Sequence, residues 1–261
     1  MMELKGRTAL VTGGSKGIGL ACGHALAGMG ARVALCARDA DALEAAAEKV
    51  RAATGAEVVV VPADLSTAEG AERAVELATE LLGQIDVLVN NAGAAPPGTI
   101  DKLTDEQWDV AIELKLRGYI RLIRDVLPGM VERGFGRIIN IAGTAGKQPD
   151  GWLITAGTVN AAVMALTKAV ATSTASTGVT VNAVCPGPTE TDRWAGMQNA
   201  HAGMFGGDVD SSRSQILAAI PSGRPSPPQE VAYSVAFFAG EAATNITGQS
   251  LMVDGGLVKS V

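Results

Sequence analysis

Residues 12–19 constrain the fold of this chain more than any other segment. They read Thr-Gly-Gly-Ser-Lys-Gly-Ile-Gly and stand between an apolar run at 7–12 and a helical pattern that begins near Ile18. Glycines let a backbone turn sharply and approach a pyrophosphate closely. The free N–H groups and the dipole of the following helix also favour an anion. The segment therefore predicts a strand, a phosphate-binding turn and a helix, in that order.

The rest of the chain alternates between strand-like and helix-like segments. Short runs rich in Val and Ile occur at 7–12, 31–36, 57–61, 85–90, 136–141, 178–184 and 249–253. Helical periodicity covers 17–29, 39–54, 67–83, 104–133, 152–177 and 228–240. Such alternation predicts an α/β fold, a doubly wound parallel sheet with helices on both faces. With no linker or repeat, residues 1–261 are expected to form one domain.

One stretch interrupts this rhythm. Residues 187–215 are rich in Gly, Met, Asn and Ser, and they follow a late strand. A long irregular insert at this place predicts a variable, mobile loop over a ligand crevice. A disordered surface loop is the equal alternative.

Composition excludes several classes of function. The chain has 261 residues, of which 47% are hydrophobic and 18% charged, enough for one well-buried α/β domain. Its net charge is −6 and it has no Lys/Arg cluster, which argues against nucleic acid and anionic membranes as partners. The apolar stretch 159–171 is interrupted by polar residues and predicts a buried helix, with no membrane span.

Cysteine and histidine usage bears on compartment and metals. The three cysteines are scattered, which favours a reduced, cytoplasmic protein. The two histidines and the cysteines show no spacing that suits zinc, so no metal site is expected.

Charge near the end of the second strand bears on the type of dinucleotide. A carboxylate there would accept a hydrogen bond from the free 2′-hydroxyl of NAD. The chain has Cys36-Ala37-Arg38 at this place, and Lys16 lies in the glycine turn. Two cations favour a 2′-phosphate, hence NADP(H) over NAD(H), although Asp39 follows and Arg38 could be an ordinary surface charge.

Several motifs together resemble the short-chain dehydrogenase/reductase family. Besides the glycine turn, the chain carries the family's Asp-hydrophobic pair, its N-N-A-G, its P-G-x-x-x-T and its C-terminal strand. These stand at Asp64-Leu65, Asn90 to Gly93, Pro186 to Thr191, and 246–256. The resemblance implies a single Rossmann-like domain with seven parallel strands, usually a tetramer built on two long helices and the last strand. It implies that the cofactor contacts Gly13, Ser15, Lys16, Gly17, Ile18, Gly19, Arg38, Asp64, Leu65, Asn91, Ala92, Gly93, Pro186, Gly187, Thr189 and Thr191.

The family's catalytic residues do not carry over. The family uses a Tyr as proton donor, a Lys four residues later that lowers the pKa of that Tyr, a Ser and an Asn. Local alignment places Lys115 at the Asn, Gly143 at the Ser, Ala156 at the Tyr and Asn160 at the Lys. A general acid is typically worth about 10²–10⁴ in rate. The sequence therefore predicts a degenerate or rearranged active site.

Two of these substitutions amount to an exchange of residue types. Where the family has Asn and then Lys, this chain has Lys115 and then Asn160. If the two side chains face one another, Lys115 could replace the missing Lys in holding NADP(H); otherwise it points to solvent or an interface. These two are the candidate catalytic residues.

Other groups could line the crevice. Thr144, Lys147, Asp150, Thr155, Thr158 and Tyr119 are close in sequence or on the same helix face, but a packing role is at least as well supported for each. An apolar substrate pocket could be lined by Trp152, Trp194, Met197, His201, Met204 and Phe205, with ordinary packing at least as well supported for each.

Three functions stay open. The first is an NADP(H)-dependent oxidoreductase of a carbonyl or secondary alcohol with a rearranged site. The second is a non-catalytic NADP(H)-binding subunit or sensor that pairs with an active homologue. The third is non-redox chemistry, of isomerase or lyase type, with Lys115 as base or amine nucleophile. A small-molecule substrate fits the first and third, and a homotetramer, homodimer or hetero-oligomer fits the family.

Overall fold

A computed structural model describes residues 3–260 of the chain. Seven strands form one parallel sheet in the order β3-β2-β1-β4-β5-β6-β7. The α/β prediction is thus confirmed. The strands are β1 Thr8–Thr12, β2 Arg32–Ala37, β3 Val58–Pro62, β4 Val87–Asn90, β5 Gly136–Ile141, β6 Val179–Pro186 and β7 Ser250–Val253.

Helices cover both faces of this sheet. They are α1 Gly17–Gly28, α2 Ala40–Thr54, α3 Ala68–Leu82, α4 Asp105–Ala111, α5 Gly118–Glu132, α6 Ile154–Thr174, α7 Asp192–Phe205, α8 Val209–Ala218 and α9 Pro228–Ala239. Apolar residues of α1, α2 and α9 pack on one face, and those of α3 and α5 pack on the other. The central strands β1, β4 and β5 are buried throughout, as strands covered on both sides must be.

The strand order reverses between β1 and β4. The chain runs outward from β1 through β2 to β3, then returns to β4 on the other side of β1. In open parallel sheets a ligand crevice forms at such a switch point, outside the carboxyl ends of the strands. The glycine turn after β1 and the segment after β4 both lie at this edge.

The long helix predicted at 104–133 is one continuous rod with a change of winding. The segment Ile112–Arg117 between α4 and α5 is π-helical. Such segments are rare and often occur at functional sites. Lys115 lies within it, so the sequence periodicity located the helix but not the altered winding that sets the direction of this side chain.

The prediction of an irregular insert at 187–215 is wrong. This part of the chain contains α7 and the start of α8. Gly206 ends α7 in the left-handed conformation, and the Asp208 side chain accepts from the Ser211 N–H at the start of α8. Some of the small and polar residues that suggested a loop therefore mark the ends of these helices.

Helix α6 is the one described helix with the length and hydropathy to cross a membrane. It packs along the sheet beside β6, and Val163, Thr167 and Ala171 on that side are buried. This placement agrees with the prediction of a buried helix. The three cysteines are also buried and unpaired.

Candidate functional site

The glycine turn between β1 and α1 disfavours side chains at three positions, through backbone conformation or through lack of room. Gly13 and Gly17 have φ of +64° and +56°, a region that side-chain-bearing residues rarely adopt. A Cβ on Gly19 would collide with the carbonyl oxygen of Gly13. This close packing lets the backbone present itself to a ligand, so the turn fits a pyrophosphate.

Two side chains hold this turn against the end of β4. The Thr12 hydroxyl accepts from the N–H groups of Asn91, at 2.8 Å, and Ala92, at 3.0 Å. In return the Asn91 side chain donates to the Thr12 carbonyl oxygen at 2.9 Å. The N-N-A-G motif therefore fixes the shape of the cradle, and Asn91 acts on the cofactor site mainly through the turn.

The amino end of α1 has backbone N–H groups that can donate hydrogen bonds to a ligand. Lys16 precedes the helix, and no side chain caps the first turn. Four N–H groups at a helix start lack partners within the helix, and they attract anions. The Lys16 ammonium lies 3.2 Å from the Asp192 carboxylate at the start of α7, so a salt bridge closes over the cradle.

At the other end of the crevice, Arg38 is exposed and lines the cavity. The carboxylate of Asp39 accepts from the Ala42 N–H at 3.0 Å and caps α2. Asp64 binds the backbone and hydroxyl of Ser66, which hold the pKa of its carboxyl below the usual value. Both carboxylates make these contacts through Oδ1, whereas Leu65 lines the cavity as expected.

The segment after β6 forms the opposite wall of the crevice. A Cβ on Gly187 would lie 2.9 Å from the Cβ of Asp254, so the chain passes closely under the C-terminal strand. Thr191 packs on Gly17, with 3.2 Å from its Cγ2 to a Cβ built there. The P-G-x-x-x-T segment thus meets the glycine turn directly.

One cavity of about 1170 Å³ joins these parts. Gly19 and Asp64 are the expected cofactor residues that do not line it; Gly19 acts through its packing on Gly13. Those that line it are Gly13, Ser15, Lys16, Gly17, Ile18, Arg38, Leu65, Asn91, Ala92, Gly93, Pro186, Gly187, Thr189 and Thr191. All four residues aligned with the catalytic positions also line it, namely Lys115, Gly143, Ala156 and Asn160.

Lys115 is one of the residues that line this cavity. Its Nζ donates to the carbonyl oxygen of Ala142 at 2.7 Å, immediately after β5, and its stem packs on Gly93. The residue keeps some exposure because it faces the open crevice. Protein nevertheless surrounds the ammonium closely, and burial together with the nearby positive charge of Arg193 lowers the pKa of Lys115 to about 7.

Asn160 lies against the neighbouring residue, Gly143. A Cβ on Gly143 would lie 2.7 Å from the Asn160 Nδ2, and its φ of +155° is also rare for other residues. The Asn160 Oδ1 is buried without a hydrogen-bond partner among residues 3–260. Lys115 and Asn160 therefore contact consecutive residues, 142 and 143, from two different helices.

The remaining polar candidates have structural positions. The Tyr119 hydroxyl donates to the Ile141 carbonyl oxygen at 3.1 Å; the ring is buried, which raises the pKa of the phenol. The Thr155 hydroxyl donates to the Pro96 carbonyl oxygen at 2.7 Å. Asp150 and Thr144 line the cavity, whereas Lys147 and Thr158 do not.

Aromatic residues form the far wall of the cavity. The Trp152 and His201 rings meet edge to face with centroids 5.1 Å apart, and His201 Nδ1 lies 3.0 Å from the Ser212 Oγ. Trp194 and Met197 of α7 line the same wall. Met204 and Phe205 are largely exposed at the end of α7 and do not line the cavity.

Sequence reasoning missed Arg193. Its Nη1 donates to the Gly93 carbonyl oxygen at 3.2 Å, and the side chain lines the cavity. No motif signals this residue, because its importance comes from the fold of α7 across the crevice.

Fold and site together define a dinucleotide-binding α/β protein, and comparison places it within a family. Residues 7–202 match the short chain dehydrogenase family, so the chain belongs to that family. The acetoacetyl-CoA reductase of Allochromatium vinosum is 37% identical over 254 residues, which are 96% of this chain and 98% of that protein.

Two solved structures of similar fold are also structures of reductases. A crystal structure of an actinorhodin polyketide ketoreductase variant with NADPH has a TM-score of 0.94 and 38% identity, covering 97% of this chain and 98% of the other. The L-sorbose reductase of Gluconobacter frateurii, complexed with NADPH and L-sorbose, has a TM-score of 0.93 and 34% identity, covering 100% and 99%. The family's relatives are carbonyl reductases, which supports the oxidoreductase class for this chain.

Proposed function

We propose that this protein reduces a small carbonyl compound, or oxidises the corresponding secondary alcohol, with NADP(H) and an active site rearranged around Lys115. One observation carries the proposal: the Lys115 ammonium lies at Ala142, beside Gly143 and in the same cavity as Ala156. A titratable cation thus stands among the positions from which the family's hydroxyl donors are missing.

The residues of the crevice fit the dinucleotide. When bound there, NADPH supplies the hydride. The glycine turn and the open start of α1 hold its pyrophosphate, while Lys16 and Arg38 suit a 2′-phosphate. Arg38 lines the cavity, whereas Asp39 does not and caps α2 through its Oδ1, which favours NADP(H) over NAD(H). Both reductase structures compared above contain NADPH.

Lys115 has the properties of a proton donor at neutral pH. An acid works best when its pKa lies near the working pH, and burial brings the pKa of Lys115 to about 7. Reduction of a ketone consumes one hydride and one proton, and the Lys115 ammonium supplies that proton to the developing alkoxide. Its contact with Ala142, next to Asn160 on Gly143, also supports the exchanged arrangement in which Lys115 holds the nicotinamide ribose.

Steady-state kinetics with NADPH and a panel of carbonyl compounds, acetoacetyl-CoA included, test this function. Lys115→Ala is expected to lower kcat by about 10²-fold or more, as loss of a general acid does. It should also weaken NADPH binding; unchanged cofactor affinity would refute the ribose-holding role. Lys102→Ala, on an exposed loop, is the matched control and should change neither value.

The choice between NADP(H) and NAD(H) has its own test. Arg38→Gln removes an exposed cation at the end of β2. Hydrogen bonds to charged groups contribute about 1.5–3 kcal/mol, so the preference for NADPH over NADH should fall roughly 10- to 100-fold. Equal binding of both dinucleotides by the unaltered protein would refute the NADP(H) assignment.

The lack of hydroxyl groups at Gly143 and Ala156 favours a second candidate, a non-catalytic NADP(H)-binding subunit or sensor. It would pair with an active homologue through the family's helix interface. Tight NADPH binding with no turnover, and an active homologue that co-purifies, would support it. In the main proposal the chain forms a homotetramer or homodimer in the cytoplasm.

The lowered pKa of Lys115, about 7, provides some free amine at neutral pH and favours a third candidate, non-redox chemistry of isomerase or lyase type. This function predicts turnover of a carbonyl compound with no net change in NADPH. Borohydride would then trap an adduct on Lys115, and Lys115→Arg would abolish it.

A further inference from the structure

Lys115 and Arg193 place two positive charges against the same residue, Gly93. The Arg193 Nη1 lies 3.2 Å from the Gly93 carbonyl oxygen. The Lys115 stem covers the other side of Gly93, with 3.1 Å from its Cδ to a Cβ built on that glycine. Both side chains line the crevice, although one comes from the π-helical segment and the other from the first turn of α7.

Neither cation has a carboxylate partner within residues 3–260. No Asp or Glu oxygen of these residues lies within 4 Å of the Lys115 ammonium or the Arg193 guanidinium. The acidic neighbours in sequence are engaged elsewhere: Asp192 pairs with Lys16, and Glu113 pairs with Arg117 and Arg121. Arg193 is exposed at the mouth of the crevice and Lys115 is half-buried, so the two like charges repel one another, and an anion between them would relieve the repulsion.

The surroundings indicate which part of a ligand lies there. The small side chain of Ala156 leaves room in the reacting zone of the cavity, and Trp152, Trp194 and Met197 form an apolar wall. A guanidinium matches the geometry of a carboxylate, which it can bind through two parallel hydrogen bonds.

We propose that Arg193, together with Lys115, forms an anion subsite that selects ligands with a carboxylate close to the reacting carbonyl, and that the apolar wall takes the rest of such a keto acid. The assignment of a keto acid rests on the function proposed above. Arg193 is a specificity-determining residue here, since its guanidinium lines the cavity and approaches the same glycine as Lys115.

Binding to the protein saturated with NADP⁺ tests the subsite without requiring turnover. Two keto acids, benzoylformate and acetoacetate, are compared with their neutral methyl esters by quenching of tryptophan fluorescence, since Trp152 and Trp194 line the cavity. We expect at least one acid to bind about tenfold or more tightly than its ester, as charge-assisted pairing implies. Arg193→Gln should remove most of this preference and leave NADP⁺ affinity within about twofold.

Arg213→Gln is the matched control, since this arginine is exposed on α8 and does not line the cavity. The Arg213→Gln variant should prefer the acid over its ester as strongly as the unaltered protein does. Absence of any acid preference overturns the proposal. So does an Arg193→Gln variant that keeps the preference but loses NADP⁺ affinity, because Arg193 would then serve the cofactor's phosphates.

The two proposals can fail separately. Preference for the acid without NADPH oxidation upholds the anion subsite and rejects the reductase. NADPH oxidation with the esters but not with the acids upholds the reductase and rejects the anion subsite.

Discussion

The Asn160 carboxamide occupies the space into which any side chain at position 143 would project, with 2.7 Å from its Nδ2 to a Cβ built on Gly143. Such an approach is well inside van der Waals contact, so the two residues are coupled. A serine at 143 and the observed position of Asn160 exclude one another. A side chain at position 143 therefore requires Asn160 to move, so a substitution at 143 also changes the position of Asn160.

Gly143→Ser should destabilise the protein without restoring a family-type site. The serine would press on Asn160 and would need φ near +155°, which glycine alone adopts readily. Backbone strain of this kind costs about 1–3 kcal/mol. Urea unfolding measures the change, and NADPH oxidation should not increase.

Two comparisons separate these contributions. Gly151→Ser, whose Cβ would meet no atom within 4 Å, should change stability by less than about 0.5 kcal/mol. Adding Asn160→Ala to Gly143→Ser should recover part of the loss. Equal stability of the Gly143 and Gly151 variants would contradict the coupling.

Gly19→Ala should abolish tight dinucleotide binding. The added methyl group would collide with the Gly13 carbonyl oxygen and push the glycine turn out of shape. Binding of NADPH, followed by fluorescence titration, should weaken by about tenfold or more, the effect of losing one or two charge-assisted hydrogen bonds.

Gly28→Ala at the end of the same helix provides the comparison. A Cβ there meets nothing within 4 Å, and alanine is the better helix former by up to about 1 kcal/mol. This variant should bind NADPH normally and be as stable as the unaltered protein or slightly more stable. If it weakened binding as much as Gly19→Ala, the cradle geometry would not be the cause.

The stability of the protein should rise with pH above about 7 because of Lys115. Its pKa is lowered from 10.5 to about 7 by burial and by Arg193. Between these two values the unfolded chain binds the proton and the folded chain does not, so the free energy of unfolding increases with pH in this window. Below pH 7 both states are protonated and the folded state bears the full cost of the buried charge.

Urea unfolding of the unaltered protein and of Lys115→Met from pH 6 to 9 measures this dependence. The Lys115→Met variant should lose the upward slope, whereas Lys102→Met, which replaces an exposed lysine, should keep it. Parallel slopes in all three proteins would show that Lys115 titrates normally.

Tyr119→Phe should affect stability and spare function. The hydroxyl makes a buried hydrogen bond to the Ile141 carbonyl oxygen at 3.1 Å, and its removal leaves that oxygen without this partner. The expected loss is about 1–2 kcal/mol of unfolding free energy. Tyr233→Phe, at a residue that is 66% exposed, should cost nothing. A large fall in kcat for Tyr119→Phe with unchanged stability would instead make Tyr119 a proton donor.

The sequence by itself determined the parallel sheet and the place of the crevice. Strands are recognised by short hydrophobic runs and helices by a period of 3.6 residues, and both patterns are local in the sequence. Glycine turns are local as well, because glycine adopts positive φ without help from distant contacts. For this reason β5 was located to the residue at Gly136–Ile141, and the glycine turn was found with its strand and helix.

The tertiary structure alone decided what surrounds Lys115. The π-helical winding at Ile112–Arg117, the crossing of Arg193 to Gly93 and the contact of Asn160 with Gly143 each join segments far apart in the chain or depend on packing between helices. The helix ends at Gly206 and Asp208 were likewise mistaken for a loop, because the same residue types favour both. Local sequence preferences set which elements form, whereas the charge and shape of the site arise where those elements meet.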